Sequence, residues 1–233
     1  PIVVIATGLN DASTNRKTGG MIQTHILRAD VSPVDAVKTG ADASICGDCK
    51  HRGNGDGKGR TCYVNYGQAQ QSVYRGYLRG IYPVASATDY KRMSGRLIRF
   101  GSYGDPAAAP VQIWRELKAI AAGTTGYTHQ WRSNPAGFAE LVMASADTPA
   151  EALDAHALGF RTFRVAMPSD PAKLAGESRC PASAEAGKKL QCDTCLACHG
   201  LKRANGRTTR GSIVIQAHGG SAVMANVNRT QSF

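Results

Sequence analysis

Short apolar segments alternate with amphipathic ones through the second half of the chain, and this alternation is the feature that most constrains the fold. Segment 97–101 is apolar, and the residues after it place Ile113, Leu117 and Ile120 on one face of a helix. Residues 148–151 form a capping box with proline at the first helical position, which begins a second helix. Strands that alternate with helices in this way imply crossover connections and a parallel sheet.

The predicted strands define the fold class and the face that carries function. They are segments 2–7, 21–27, 97–101, 126–131, 141–145, 161–166 and 212–217. We predict an α/β fold, a partial (β/α) barrel of about six mostly parallel strands with cysteine-rich metal-binding loops. The working face of such a barrel lies at the carboxyl ends of its strands. Polar side chains near these ends are expected to converge on one mouth: Ser102, Asp105, His129, Ser145, Arg164 and His218.

Composition and patterning indicate a single domain over residues 1–233. No linker rich in proline, serine or charge divides the chain, and cysteine-rich insertions interrupt it at about 42–66 and 178–204. Segment 220–233 has little periodicity and is predicted to be a loose tail. Large aliphatic side chains are sparse and alanine is abundant, so the core is expected to need additional stabilisation.

Seven cysteines supply the candidate stabilising sites, and they fall into two groups. An odd number with C-x-x-C spacings favours metal ligation in a reducing compartment over a disulfide framework. No apolar run reaches the length of a membrane span, and the apolar start of the chain lacks the basic region of a signal peptide. We therefore predict a cytoplasmic protein that does not enter the membrane. The predicted metal ligands are Cys46, Cys49, Cys62, Cys180, Cys192, Cys195 and Cys198.

The two cysteine groups predict different coordination. Cys46, Cys49 and Cys62 offer three sulfurs, so a closed zinc site would need a fourth ligand, for which His51 is the nearest candidate. Without His51 as a ligand, the centre keeps an open position, as catalytic metal sites do. The four cysteines between positions 180 and 198 complete a coordination sphere, which suits an iron–sulfur cluster or zinc.

The net charge of +11 favours partners that carry negative charge. Basic residues cluster in segments 75–79, 91–99 and 202–210, and tyrosines interleave with the first of these. Nucleic acid or a phosphorylated small molecule is therefore a candidate partner of this basic surface. The alternative is that the charge serves solubility and the tyrosines pack in the core. The glycine-rich segment 53–60 lacks the Gly-Lys-Ser/Thr ending of a phosphate loop, and no nucleophile elbow occurs.

A series of short motifs runs in order from about residue 15 to residue 219. The motifs are Asn15-Arg16-Lys17-Thr18-Gly19, Cys46 with Cys49, Cys62-Tyr63, Arg99 with Gly104-Asp105, Trp114, Tyr127-Thr128 with Trp131, Cys192 with Cys195 and Cys198, Ile213-Val214-Ile215, and His218-Gly219. Their order resembles that of cysteine-rich bacteriophage proteins, best known from mycobacteriophage genomes, that are regarded as distant radical-SAM-like barrels. The resemblance covers most of the chain, and its specificity lies in the order of the motifs.

The resemblance implies a partial (β/α) barrel with a 4Fe–4S cluster near its mouth, held by the first three cysteines. It also implies that S-adenosylmethionine binds the open iron of that cluster beside Tyr63, with Gly104 and Asp105 receiving its amino group. If the chain is such an enzyme, we expect the strand-end residues Asp105, His129 and His218 to be the catalytic residues at the mouth. The cysteine spacing in this chain, C-x2-C-x12-C, differs from the C-x3-C-x2-C of radical SAM enzymes.

Two functions from different classes are compatible with these patterns. The first is an enzyme, a phage-encoded iron–sulfur protein in the cytoplasm of an infected bacterium, that performs radical-SAM-like or reductive chemistry on a nucleotide or nucleic acid. The alternative is a non-enzymatic protein in which two zinc ions stabilise a weak core and the basic face binds DNA or RNA. The metal separates the two, because an iron–sulfur protein is brown and a zinc protein is colourless.

Overall fold

A computed structural model of the chain describes residues 1–15, 17–134, 137–187, 190–207, 209, 211–218 and 220. Several positions singled out above lie outside the described residues. They are Arg16 and Gly219 of the short motifs, positions 208 and 210 of the third basic segment, and positions 221–233 of the predicted tail.

Eight strands form one open sheet in the described part of the chain: β1 (Ile2–Thr7), β2 (Ile22–Arg28), β3 (Leu97–Tyr103), β4 (Gly123–Thr128), β5 (Met143–Ala146), β6 (Thr162–Ala166), β7 (Glu177–Arg179) and β8 (Ser212–Gln216). Their order in the sheet is β1-β2-β3-β4-β5-β6-β8-β7. β1 runs antiparallel to β2, and every other neighbouring pair is parallel. The α/β class and the mostly parallel sheet are therefore confirmed.

The sheet has eight strands rather than the predicted number of about six. β1 lies at one edge and is antiparallel to its neighbour, so it stands outside the alternating part of the chain. β7 lies at the other edge and is only three residues long, which is too short to show a period in the sequence. The strands between these two edges are all parallel, as the crossover rule predicts.

Seven α-helices accompany the sheet within the described ranges: α1 (Pro33–Thr39), α2 (Ala43–Cys46), α3 (Ala69–Leu78), α4 (Ala87–Met93), α5 (Val111–Ile120), α6 (Pro149–Ala157) and α7 (Cys192–Cys195). The Thr148 hydroxyl accepts a hydrogen bond of 3.1 Å from the backbone N–H of Glu151, and this cap begins α6 where the sequence predicted it. None of these helices is long and apolar enough to cross a membrane.

Two tryptophans, one before β4 in the chain and one after it, pack in the core. Trp114 of α5 is fully buried, and its ring centroid lies 5.1 Å from that of Phe100 on β3. Its Nε1 donates to the carbonyl of Pro106 at 2.7 Å. Trp131 is also buried, and its Nε1 donates to the carbonyl of Ser145 at 2.9 Å. Because each indole N–H has a partner, both side chains pack in the core without an unsatisfied donor.

His25 makes the stability of this fold depend on pH. The side chain is buried in β2, with Nε2 3.2 Å from the hydroxyl of Thr7, and burial lowers the pKa of His25 from 6.5 to about 4. Between these two pH values the unfolded chain binds a proton that the folded chain does not, so stability falls as the pH drops from 6.5 towards 4. Through this group alone, the free energy of unfolding is expected to be about 2 kcal/mol lower at pH 5 than at pH 7.

Urea unfolding of the wild type and of His25→Gln at both pH values measures this contribution. The His25→Gln variant is expected to lose about 2 kcal/mol less than the wild type between pH 7 and pH 5. The matched control is His218→Gln, because the side chain of His218 is exposed. Equal pH dependence in the wild type and in His25→Gln would show that this histidine does not carry the effect.

Candidate functional site

A cavity of about 980 Å³ lies at the carboxyl ends of β4, β5, β6 and β8. The residues that follow these strands line it, among them His129, Asp147, Met167 and His218. Both cysteine-rich segments border the same cavity, because Cys62 from the first and all four cysteines from the second contribute to its lining. The cavity thus occupies the edge of the sheet at which the working face was predicted.

The first cysteine group gathers beside this cavity. Cys46 ends α2, and Cys49 directly precedes the 3-10 turn Lys50–Arg52. Burial raises the pKa of the Cys46 thiol, and negative charge on Cys62 and Cys49 raises it further. Burial likewise raises the pKa of the Cys49 thiol to about 12. These half-buried thiols favour the protonated form at pH 7, and a bound cation would displace their protons.

A buried set of ion pairs, here called the Asp42 network, holds the first cysteine segment in place. The Asp42 carboxylate accepts hydrogen bonds from Arg52 Nη2 at 2.8 Å and from Arg60 Nη1 at 3.1 Å. Only 2% of the Asp42 side chain and 8% of the Arg60 side chain are exposed. Because both arginines lie between Cys49 and Cys62 in the chain, the network fixes the segment that joins these two thiols.

The second cysteine group faces a half-buried cation. Cys192 and Cys195 lie on α7, and Cys198 follows it. The guanidinium of Arg99 stacks on the ring of Tyr127 at 4.4 Å, and its positive charge acts on Cys192 and Cys198. Burial raises the pKa of Cys198 to about 12, although a hydrogen bond from Tyr127 opposes this shift. A positive charge and a hydrogen-bond donor thus stand where thiolate charge would develop on metal binding.

The loop that carries the Asn15–Gly19 motif braces the second cysteine segment. The backbone N–H of Cys192 donates to the carbonyl of Lys17 at 2.7 Å, and the Asp193 carboxylate accepts a hydrogen bond of 3.1 Å from the N–H of Gly20. Cys180 comes from a separate stretch, just after β7, and its backbone N–H donates to β8. Burial and the charge of a neighbouring thiol raise the pKa of Cys180. Four thiols from two stretches of chain therefore line the same cavity.

Both cysteine groups are wider than a site for one zinc ion. All seven cysteines are free. In the part of the chain that the structure describes, the only three ligand atoms that all lie within 4.8 Å of one another belong to His51, His129 and Asp147. Neither cysteine group therefore holds three sulfurs that close together. Four thiolates around zinc, each at 2.3 Å, lie only about 3.8 Å apart.

The structure brings some of the predicted mouth residues together and leaves others apart. His129, Ser145 and His218 line the cavity, as does Tyr63. Ser102 lies outside the lining, where its hydroxyl donates to Gln23 Oε1 at 2.6 Å. Arg164 also lies outside the lining and pairs with Glu177 on β7. The expected convergence thus holds for the residues that end β4, β5 and β8, and not for Ser102 or Arg164.

Gly104 and Asp105 also lie outside the cavity lining. Gly104 has φ of +74°, and a Cβ at this position would lie 2.7 Å from the Cβ of Ile26, so the close approach to β2 requires glycine. The Asp105 carboxylate accepts hydrogen bonds from the Thr128 hydroxyl and from the backbone N–H of His129, both at 2.7 Å. These contacts hold the end of β4 and leave Asp105 facing the protein rather than the cavity.

His51 contacts Asp147 instead of completing the first cysteine group. Its Nε2 lies 2.9 Å from Asp147 Oδ2, and its Nδ1 lies 2.7 Å from the hydroxyl of Thr61. The ring of His129 lies 5.3 Å from that of His51, between centroids. Burial opposes ionisation of Asp147, but the hydrogen bond from His51 and the nearby positive charges hold its pKa well below the usual range. Sequence analysis missed Asp147, although it follows β5 directly and the strand-end rule applies to it.

Three polar side chains form the rim of the cavity. The ammonium of Lys17 lies 3.3 Å from the Tyr63 hydroxyl and 3.4 Å from Nε2 of His218. It also lies 4.7 Å from the centre of the Tyr63 ring, and the rings of Tyr63 and His218 meet edge to face. The rim thus connects residues from three distant parts of the chain and presents one positive charge to the cavity.

Compared with models of protein families, with curated proteins and with solved structures, the chain matches none. An α/β fold by itself hosts many unrelated activities. The function therefore has to be inferred from the chemistry of the cavity.

Proposed function

We propose that the protein is an iron–sulfur enzyme that performs reductive or radical chemistry on a nucleotide in the cavity. Cys46, Cys49 and Cys62 would hold a 4Fe–4S cluster that keeps an open iron, and the four cysteines of the second group would hold a closed one. In this proposal the open sheet is a partial (β/α) barrel, and the protein acts in the cytoplasm of a bacterium that carries its phage.

The observation that carries the proposal is that all seven cysteines are free and that five of them, Cys62 from the first segment and all four of the second group, line one cavity. Each group has an arginine beside it. The charge of Arg60 acts on Cys62 and Cys46, and the charge of Arg99 acts on Cys192 and Cys198. Thiolate ligands carry negative charge into a partly buried site, so nearby cations make such a site less costly to form.

The spacing of the sulfurs favours a cluster over a single ion. Within each group, the three closest sulfurs do not all lie within 4.8 Å of one another. One zinc ion requires about 3.8 Å between thiolates, whereas a cluster distributes its ligands over several iron atoms and holds them farther apart. The sulfurs of either group would therefore have to move closer together to hold one zinc ion than to hold an iron–sulfur cluster.

The cavity has the size and charge expected for a phosphorylated small molecule. Its volume of about 980 Å³ is at the upper end of the range for small-molecule sites. Lys17, Lys50 and Arg99 line it together with Asp147 and Asp170, and Lys50 pairs with Asp147. An anionic substrate would therefore meet the positive charge of Lys17 at the rim and of Arg99 on the wall. An iron–sulfur cluster, when bound beside the cavity, supplies single electrons to a substrate held there.

The chain's own residues would hold and orient the substrate. Lys17 and His218 at the rim would contact a phosphate, and Arg99 stacked on Tyr127 would contact a second anionic or aromatic group. Asp105 would act as a positioning residue, because its carboxylate fixes the backbone of His129. Gly104 and Asp105 do not fit a role in binding S-adenosylmethionine, because neither lines the cavity.

Metal analysis of protein purified without oxygen tests this proposal. We expect brown protein with absorption near about 400 nm and about eight iron and eight sulfide per chain for two 4Fe–4S clusters. Cys46→Ser and Cys195→Ser are each expected to remove about half of the iron. The control is Ser44→Ala, an exposed position on the same helix as Cys46, which should keep all of it. Colourless protein with about two zinc ions would overturn the proposal in favour of the zinc-stabilised nucleic-acid-binding alternative.

A further inference from the structure

We propose that His51, His129 and Asp147 form a site for one divalent transition-metal ion, separate from both cysteine groups. The three side chains come from three elements that meet at the cavity. His51 lies on the 3-10 turn Lys50–Arg52, His129 follows β4, and Asp147 follows β5. β4 and β5 are parallel neighbours, so their carboxyl ends bring His129 and Asp147 to the same edge. All three residues line the cavity.

The distances suit shared coordination. One ligand atom from each of the three residues lies within 4.8 Å of the other two. The separation of His51 Nε2 from Asp147 Oδ2 is 2.9 Å. Two ligands bound to one ion at about 2.1 Å and at right angles lie about 3 Å apart, so this pair needs almost no movement to accept an ion.

Hydrogen bonds from neighbouring groups hold the candidate ligand residues, as they do in metal sites. The Nδ1 of His51 lies 2.7 Å from the Thr61 hydroxyl, which leaves Nε2 to face Asp147. The backbone N–H of Asp147 donates to Glu151 Oε2 at 2.6 Å, and the backbone N–H of His129 is held by Asp105. In metalloproteins a ligating imidazole is typically oriented by a hydrogen bond at its other nitrogen. The contact between His51 and Thr61 meets this condition.

The ammonium of Lys50 would compete with a metal ion for the Asp147 carboxylate, but Lys50 also pairs with Glu151. Lys50 Nζ lies 3.2 Å from Asp147 Oδ2 and also 3.2 Å from Glu151 Oε1. The Lys50 side chain is 48% exposed, so it can stay with Glu151 when an ion takes its place at Asp147. A bound cation would thus replace Lys50 as a partner of Asp147, and Lys50 would remain paired with Glu151.

The ligand set selects the class of ion. Two imidazoles and one carboxylate form a nitrogen and oxygen site, which binds Fe²⁺, Mn²⁺ or Zn²⁺ and leaves coordination positions open. Because all three residues line the cavity, an ion held by them would be accessible to water or to an oxygen atom of the substrate. This inference goes beyond the proposed function, because it requires no iron–sulfur cluster and assigns the ring of His129 a ligand role.

Titration of the full chain with Mn²⁺, followed by electron paramagnetic resonance, tests the site. Mn²⁺ is chosen because it prefers oxygen and nitrogen ligands to thiolates. The wild type is expected to bind one Mn²⁺ per chain. Asp147→Asn and His129→Gln are each expected to weaken binding by more than about 100-fold, and Thr61→Val by about 10–100-fold. The matched control is Asp154→Asn, which removes an exposed carboxylate on α6 and should leave Mn²⁺ binding unchanged.

Circular dichroism of each variant confirms that it is folded, and iron and sulfide are measured in the same samples. If the protein contains no iron–sulfur clusters but still binds Mn²⁺ through Asp147 and His129, this site is supported. Only the proposed function is then overturned. Wild-type binding no tighter than that of Asp147→Asn, or binding that Cys46→Ser abolishes, would overturn this inference. In that case the contact of His51 with Asp147 serves only to hold the first cysteine segment on β5.

Discussion

Replacing Glu177 with glutamine is expected to lower the free energy of unfolding by about 3–5 kcal/mol. In the wild type, Glu177 Oε1 and Oε2 accept hydrogen bonds from Nε and Nη2 of Arg164, each at 2.8 Å. Both side chains are 0% exposed. Glutamine keeps the shape of the side chain but leaves the guanidinium of Arg164 as a charge without a counter-charge, away from water. An unpaired buried charge has no compensation for its lost hydration, so the effect is large.

Denaturant unfolding measures the loss of stability. Two further variants show whether the buried ion pair causes it. Glu140→Gln removes a carboxylate whose pair with Lys202 is half exposed, and it should change stability far less. The double variant Arg164→Met/Glu177→Leu removes both charges and is expected to recover most of the stability, because an apolar pair needs no hydration. If Glu177→Gln is no less stable than Glu140→Gln, the ion pair does not contribute as described.

The same ion pair shows how far the sequence determines the fold. The alternation of apolar segments predicted the parallel strands, because strands buried on both faces are apolar along their length. Arg164 was expected at the mouth because it lies near the end of a predicted strand. Side chains alternate between the faces of a sheet, and the partner of Arg164 lies on β7, which is only three residues long. A partner on so short an edge strand leaves no periodic signal in the sequence.

The candidate site likewise has a part that the sequence predicts and a part that it does not. The spacing of the cysteines was enough to group them, because C-x-x-C places two sulfurs within reach of one centre. The contact between His51 and Asp147 joins residues 96 positions apart, and no local pattern connects them. It depends on how the first cysteine segment lies over the end of β5. The arrangement of the cavity wall therefore follows from tertiary packing rather than from the motifs themselves.

Charged side chains hold the backbone of both cysteine segments. Arg161, which precedes β6 and is 2% exposed, donates to the backbone carbonyls of Ala197 and His199 at 3.0 and 2.6 Å, on either side of Cys198. The Asp42 network joins residues within the first segment, because Arg52 and Arg60 both pair with Asp42. A chain with few large aliphatic side chains thus uses buried guanidinium groups to fix its loops. Removing a carboxylate from such a network should free the thiols that it holds.

Replacing Asp42 with asparagine is therefore expected to loosen the first cysteine segment and to lower the free energy of unfolding by about 3 kcal/mol. The variant keeps the shape of the side chain but removes the charge that Arg52 and Arg60 share at 2.8 and 3.1 Å. Denaturant unfolding measures the stability. The rate at which a thiol reagent modifies Cys46 and Cys49 measures the loosening. In the wild type, burial raises the pKa of both thiols and so disfavours their reactive thiolate forms.

The matched control for this prediction is Asp30→Asn. Asp30 also pairs with an arginine, Arg28 at 2.7 Å, but the Asp30 side chain is 45% exposed. Water replaces the lost partner of Arg28, so the control should match the wild type in both stability and thiol reactivity. If Asp42→Asn also matches the wild type in thiol reactivity while it loses stability, the network supports the fold without positioning the thiols. Faster modification of Cys46 and Cys49 in Asp42→Asn alone would link the buried charges directly to the geometry of the candidate metal centre.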